Sequence, residues 1–161
     1  MEITQSAAIA QPRTGGGRTV ARLSRQLDRA LAPLELTPGQ YRLLAELAEG
    51  TEASTALARK LAVSPPSVTT MVDGLVARGA VERSAAREDR RRVNLALTEF
   101  GYSLFAAADD AVADLLDDIV GALGDPDEAR VALDSLAVWE RALDIRAQRN
   151  AQQGRSVATR P

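Results

Sequence analysis

The sequence predicts a mainly α fold with one small β-hairpin, and three observations carry that expectation. Apolar residues recur at three- and four-residue spacing along most of the chain, the period of one helix face. Several of those stripes open on a Ser, Thr or Asp with a proline directly after it, which is the chemistry of a helix N-terminus. Between residues 80 and 97 the period changes to two, on either side of the charged run Asp89-Arg90-Arg91-Arg92.

Residues 1–17, ending in Gly15-Gly16-Gly17, have little amphipathic pattern and are expected to form a flexible N-terminal arm. The first helix starts near Arg18, with Val20, Leu23, Leu27, Leu31 and Leu34 on one stripe. Thr37-Pro38-Gly39-Gln40 then combines an N-cap threonine, a proline at the first helical position and a capping-box glutamine. The second helix it opens turns Tyr41, Leu44, Leu47 and Ala48 inward and stops at Gly50. A short third helix over 54–62 buries Leu57, Ala58 and Leu61, and it needs neighbours to be stable.

Ser64 caps the fourth helix and Pro65 fits its first turn, while Val68, Met71, Val72, Leu75 and Val76 supply its apolar stripe up to Gly79. Its opposite face holds Ser67, Thr69, Thr70, Asp73 and Gly74, with nothing bulky to keep it out of a groove. Segments 80–85 and 92–97 are the two strands, alternating Val93, Leu95 and Leu97 with Arg92, Asn94 and Ala96. Thr98 caps a long fifth helix with Leu104, Ala108, Val112, Leu115, Ile119 and Leu123 on its stripe, closed by Gly124. Asp125-Pro126-Asp127-Glu128 opens the last helix, which is expected to bury Ala129, Leu133, Leu136, Trp139 and Leu143 and to fray after Gln152.

Composition narrows the function classes. With 161 residues and 45% hydrophobic content, the chain can form one compact domain or two closely connected lobes. The absence of cysteine excludes disulfides and thiol redox sensing, and the absence of histidine removes the commonest zinc ligand. No cofactor is expected, and the lack of both residues also argues against an enzyme. Asp110, Asp114 and Asp118 share a helix face, but no nucleophile or further ligand accompanies them, so they read as a solvated face. No apolar run approaches a membrane span and no secretory pattern opens the chain, so a cytoplasmic protein is expected.

The net charge of −2 hides an asymmetry: residues 1–98 carry 14 Lys+Arg against 10 Asp+Glu, and residues 99–161 carry 6 against 12. A basic lobe with a surplus of +4 is thus joined to an acidic lobe of −6. Helix, turn, helix and a β-wing form an arrangement whose second helix fits a major groove while the wing reaches phosphates or the minor groove. Arginine suits the minor groove because its guanidinium is planar, always charged and weakly hydrated. The alternative for the charged turn is a solvated hairpin tip that resists aggregation.

Leu57-Ala58, Val63-Ser64, Val72-Asp73-Gly74-Leu75, Arg78-Gly79 and, above all, Asp89-Arg90-Arg91 with Leu97-Thr98-Glu99-Phe100-Gly101 resemble the MarR family of regulators. The resemblance covers roughly residues 18–148. It implies a winged helix-turn-helix lobe at 37–98 and a helical dimerisation lobe built from 18–36 and 99–152, with a flexible tail at 153–161. It also implies a homodimer that binds double-stranded DNA at a pseudo-palindromic operator, commonly as a repressor released by a small aromatic or amphipathic effector.

The recognition-helix residues are then Ser64, Pro65, Ser67, Thr69 and Thr70, and the wing residues are Arg87, Asp89, Arg90, Arg91 and Arg92. Within the wing, Arg91 resembles the arginine inserted into the minor groove and Asp89 the carboxylate that holds the wing in place. The chain departs from the family at Thr70 and Gly74, where arginines are common, so base readout falls to the small hydroxyl residues. An implied effector pocket lies near the first, second and fifth helices. Tyr41 is the residue placed there, and Tyr41 and Trp139 have core packing as their alternative. The competing functional reading is a winged-helix protein-interaction module without DNA binding, using its acidic helices.

Overall fold

A computed structural model describes residues 15–50, 52–85 and 93–158. The elements run α1 (Gly16–Leu31), a 3-10 turn (Ala32–Leu34), α2 (Pro38–Ala48), β1 (Glu52–Ala53), α3 (Ser54–Leu61) and α4 (Pro65–Ala77). After them come β2 (Val81–Ala85), β3 (Val93–Leu97), α5 (Glu99–Gly121) and α6 (Pro126–Ala158). The mainly α class with a small antiparallel hairpin is as the sequence implied.

Local chemistry sets most boundaries. The Thr37 hydroxyl accepts from the Gln40 amide at 3.2 Å, and the Gln40 side chain accepts from the Thr37 amide at 3.0 Å, completing the expected capping box. Ser64 caps α4 through the Ser67 amide at 3.3 Å, and Thr98 caps α5 through the Gly101 amide at 3.0 Å. Each such cap is worth about 1 kcal/mol against alanine. At the far end of α4, Gly79 takes φ +74°, which lets the Ala80 amide reach back to the Leu75 carbonyl at 2.9 Å.

Four differences from the sequence pattern have physical reasons. First, α1 begins at Gly16 rather than Arg18, and α6 continues through Ala158 past Gln152, because helix ends carry few signals that propensity alone can read. Second, a third strand exists: β1 pairs with the outer edge of β3, giving sheet order β1-β3-β2. Two residues are too few to show a period. Third, α2 buries Leu43 as completely as Leu44, because the helix packs on α1, α4, α5 and β3 together.

Fourth, α6 does not bury the stripe expected of it. Leu136, Trp139 and Leu143 are exposed, Trp139 at 68%, and only Ala129 and Leu133 are half-buried. Within the chain α6 packs chiefly on α5, leaving the rest of its apolar face uncovered. The start of α1 is likewise bare, with Val20 at 67% exposure, whereas Leu31 at its end is fully buried.

One continuous core holds the lobe together. Leu31, Leu43, Leu44, Leu47, Leu57 and Leu75 are sealed from solvent, with Val68, Val72 and Leu95 beside them. Burying each such side chain stabilises the fold by about 1.5–3 kcal/mol. Leu104 and Ala108 of α5 join the same cluster, so the first half of α5 is rooted in the winged lobe. Among the described residues no helix is long and apolar enough to cross a membrane.

Candidate nucleic-acid interface

The core side of α4 is fixed by Val68, Val72 and Leu75, which leaves its other face in solvent by the helical period alone. Ser64, Pro65, Ser67, Thr69 and Thr70 are all exposed there, gathered on the first two turns. The Ser64 and Ser67 hydroxyls lie 2.7 Å apart, so one donates to the other. Thr69 donates its hydroxyl to the Pro65 carbonyl, and Thr70 donates to the Pro66 carbonyl, both at 3.1 Å. Such bonds to the carbonyl one turn back hold each threonine in one rotamer.

The wing is joined to this helix by a pair that sequence reading missed. Arg83 on β2 donates to the Asp73 carboxylate on the exposed side of α4, tying strand to helix across the surface. Ten residues separate the partners, and no helical or strand period links them. Beyond this point β2 and β3 remain in register to Ala85 opposite Val93. Arg87, Asp89, Arg90, Arg91 and Arg92, the expected wing contacts, lie outside the described residues.

Three further contacts position α4. The Arg78 guanidinium donates to the carbonyls of Glu35 at 2.8 Å and Leu34 at 2.9 Å, joining the end of α4 to the turn after α1. Arg42 donates to the Leu61 carbonyl at 3.2 Å, which satisfies the C-terminus of α3 beside the helix-turn-helix bend. In that bend Ala62 takes the left-handed conformation at φ 54°. Finally, the Thr98 hydroxyl donates to the Gly79 carbonyl at 2.6 Å while accepting from Gly101, so the exit of α4 and the entry of α5 share one side chain.

Tyr41 sits away from this face. Its hydroxyl donates to Asp109 of α5 at 2.7 Å and its ring stacks on Phe105 with centroids 6.1 Å apart. Burial, followed by the Asp109 bond and charge, pushes the phenol well above its usual range, so it stays a donor. Trp139 instead lines an open groove of about 860 Å³ between α6 and the winged lobe, with Leu136, Leu143, Arg42, Glu46 and Lys60. Tyr41 is not among the residues lining it.

This geometry has known counterparts. The MarR family model matches residues 36–93, the span from the entry of α2 to the start of β3. An HTH-type transcriptional regulator of Bacillus subtilis, YhbI, is 36% identical over 83 residues, which is 51% of this chain and 54% of that protein. The chain therefore spans about half the length of that curated relative. Among solved structures, the CouR transcriptional repressor bound to a 23-mer DNA duplex is 29% identical with TM-score 0.67, over 78% of this chain and 89% of that one. Apo wild-type MarR from E. coli is 26% identical with TM-score 0.68, over 78% and 96%. A MarR variant from E. coli complexed with operator DNA is 28% identical with TM-score 0.61, over 75% and 90%.

Proposed function

We propose that the chain is a member of the MarR family and a DNA-binding transcriptional regulator rather than an enzyme. The observation that carries this reading is the solvent-facing, small-residue surface of α4, pinned to a β-wing by Asp73 and Arg83, in a fold that CouR and MarR present to duplexes. In this reading Ser64, Pro65, Ser67, Thr69 and Thr70 enter the major groove. Arg87, Arg90, Arg91 and Arg92 meet phosphates and the minor groove, with Asp89 bracing the wing.

The finer parts of the reading rest on surface. The bare apolar faces of α1 and α6 support a homodimer, which would set two copies of α4 roughly 34 Å apart on a pseudo-palindrome. Repression, with release by a small aromatic or amphipathic effector, follows the family pattern. The acidic surplus after Thr98 would then point away from phosphates.

A second reading, a winged-helix protein-interaction module, is favoured by one observation: the exposed face of α4 carries no Lys or Arg. Salt separates the two. Counterion release makes the logarithm of duplex affinity fall linearly with log salt, at a slope of about −0.9 per neutralised phosphate. A titration of the full chain against a random duplex pool between low and physiological salt is expected to show that steep loss. Duplex binding absent at low salt would leave only the interaction module.

A further inference from the structure

We infer that α4 recognises thymine through carbon, by packing the γ-methyl groups of Thr69 and Thr70 and the ring of Pro65 on thymine 5-methyls, with the threonine hydroxyls taking no part in base readout. The inference rests on the DNA-binding reading and specifies its ligand.

The argument begins with protons. A threonine hydroxyl has one, and in both residues it is spent on the carbonyl one turn back, Pro65 for Thr69 and Pro66 for Thr70, each at 3.1 Å. That bond turns Oγ1 against the helix backbone. With Oγ1 engaged there, the γ-methyl is the group each of these exposed residues has left to offer a partner. Pro65 and Pro66 have no amide proton and offer only ring carbon to the outside.

The other base edges lack their most frequent readers here. Guanine is read by a forked pair of donors and adenine by an Asn or Gln amide, and the exposed positions of α4 carry no Arg, Lys, Asn or Gln. Cytosine is read by a carboxylate accepting from its amino group, but the Asp73 carboxylate is held by Arg83. Ser64 and Ser67 share a hydrogen bond at 2.7 Å at the helix N-terminus, where the one hydroxyl proton left over suits a phosphate. The major-groove feature that the outward carbon of this face complements is the thymine methyl.

The test uses duplexes that the full chain retains from a random pool, remade with deoxyuridine for thymidine so that only the 5-methyl is removed. Two double variants accompany it: Thr69→Val with Thr70→Val keeps a methyl and deletes the hydroxyl, and Thr69→Ser with Thr70→Ser does the reverse. Thermal melts by circular dichroism establish that both are folded. The valine form keeps a methyl at each site and is expected to retain the deoxyuridine penalty of the parent. The serine form is expected to lose about fourfold for each methyl contact removed and, with only the Pro65 contact left, to show a smaller deoxyuridine penalty than the parent, which deoxyuridine weakens by a similar factor per contact. Loss of the deoxyuridine penalty in the valine form, parental affinity in the serine form, or no deoxyuridine penalty for the parent overturns the inference while leaving DNA binding in place. A pool from which no duplex is retained removes the DNA reading itself, and this inference with it.

Discussion

Gly101→Ala sets two physical effects of opposite sign against each other at the junction of wing and helix. Gly101 lies in the first turn of α5, where alanine would gain about 1 kcal/mol of helix propensity. A Cβ there, however, would stand 2.0 Å from the Ala80 carbonyl oxygen, 3.0 Å from its carbon and 3.3 Å from Leu97 Cβ. The obstacle is backbone, and it cannot swing aside. Ala80 is fully buried, its amide donates to Leu75 at 2.9 Å, and its carbonyl accepts from the Thr98 amide at 3.1 Å.

Moving Ala80 by the ångström that relief requires would strain both bonds and the cap of α5. Overpacking of this kind costs about 3 kcal/mol, the upper part of the usual range, leaving a net loss of roughly 2 kcal/mol after the propensity gain. Urea unfolding at matched protein concentration reads the difference, with the slope checked so that a midpoint shift reports stability. Gly121→Ala is the control, since nothing lies within 4 Å of a Cβ there, and a gain of about 0.5–1 kcal/mol is expected. A Gly101→Ala midpoint equal to or above the parent's would refute the reasoning, because propensity would then have outweighed contact.

Arg91→Ala is expected to weaken duplex binding by about 1–3 kcal/mol with an unchanged melting curve, measured by mobility shift; equal affinity would remove Arg91 from the wing contact. Arg83→Ala breaks an exposed pair and is expected to cost under about 1 kcal/mol in a urea melt. Its larger effect is expected on duplex affinity, since it frees the wing from α4, and affinity unchanged within error would show that the pair does not position the wing. Leu136→Glu with Leu143→Glu alters side chains already exposed in the single chain, so the fold is expected to survive while elution volume shifts from dimer to monomer. A double variant that elutes at the parent's volume would rule out α6 pairing.

What could be read in advance was local. Thr37 and Gln40, Ser64, Thr98 and the glycines at 79 and 124 act within four or five residues of themselves, so caps and stops show in the sequence and recur in the structure. The hydroxyl face of α4 was legible for the same reason, as the complement of a buried stripe. Contacts with no period to betray them were not. Arg78 finds its carbonyls 43 and 44 residues away, and Tyr41 finds Asp109 68 residues away. The α6 stripe misled in a different manner: periodicity says that a face is apolar but does not say which molecule covers it.

The Arg78 bracket has a mechanical consequence. Its two charge-assisted bonds, about 1.5–3 kcal/mol each, seize the chain where α1 has just ended and Glu35 turns left-handed. A tilt of α1 against the lobe therefore has two outcomes: the reading helix swings with it as a rigid lever, or the linkage snaps and both carbonyls return to water. While that bracket holds, whatever rotates the first helix also changes the angle at which the hydroxyl face is presented to solvent.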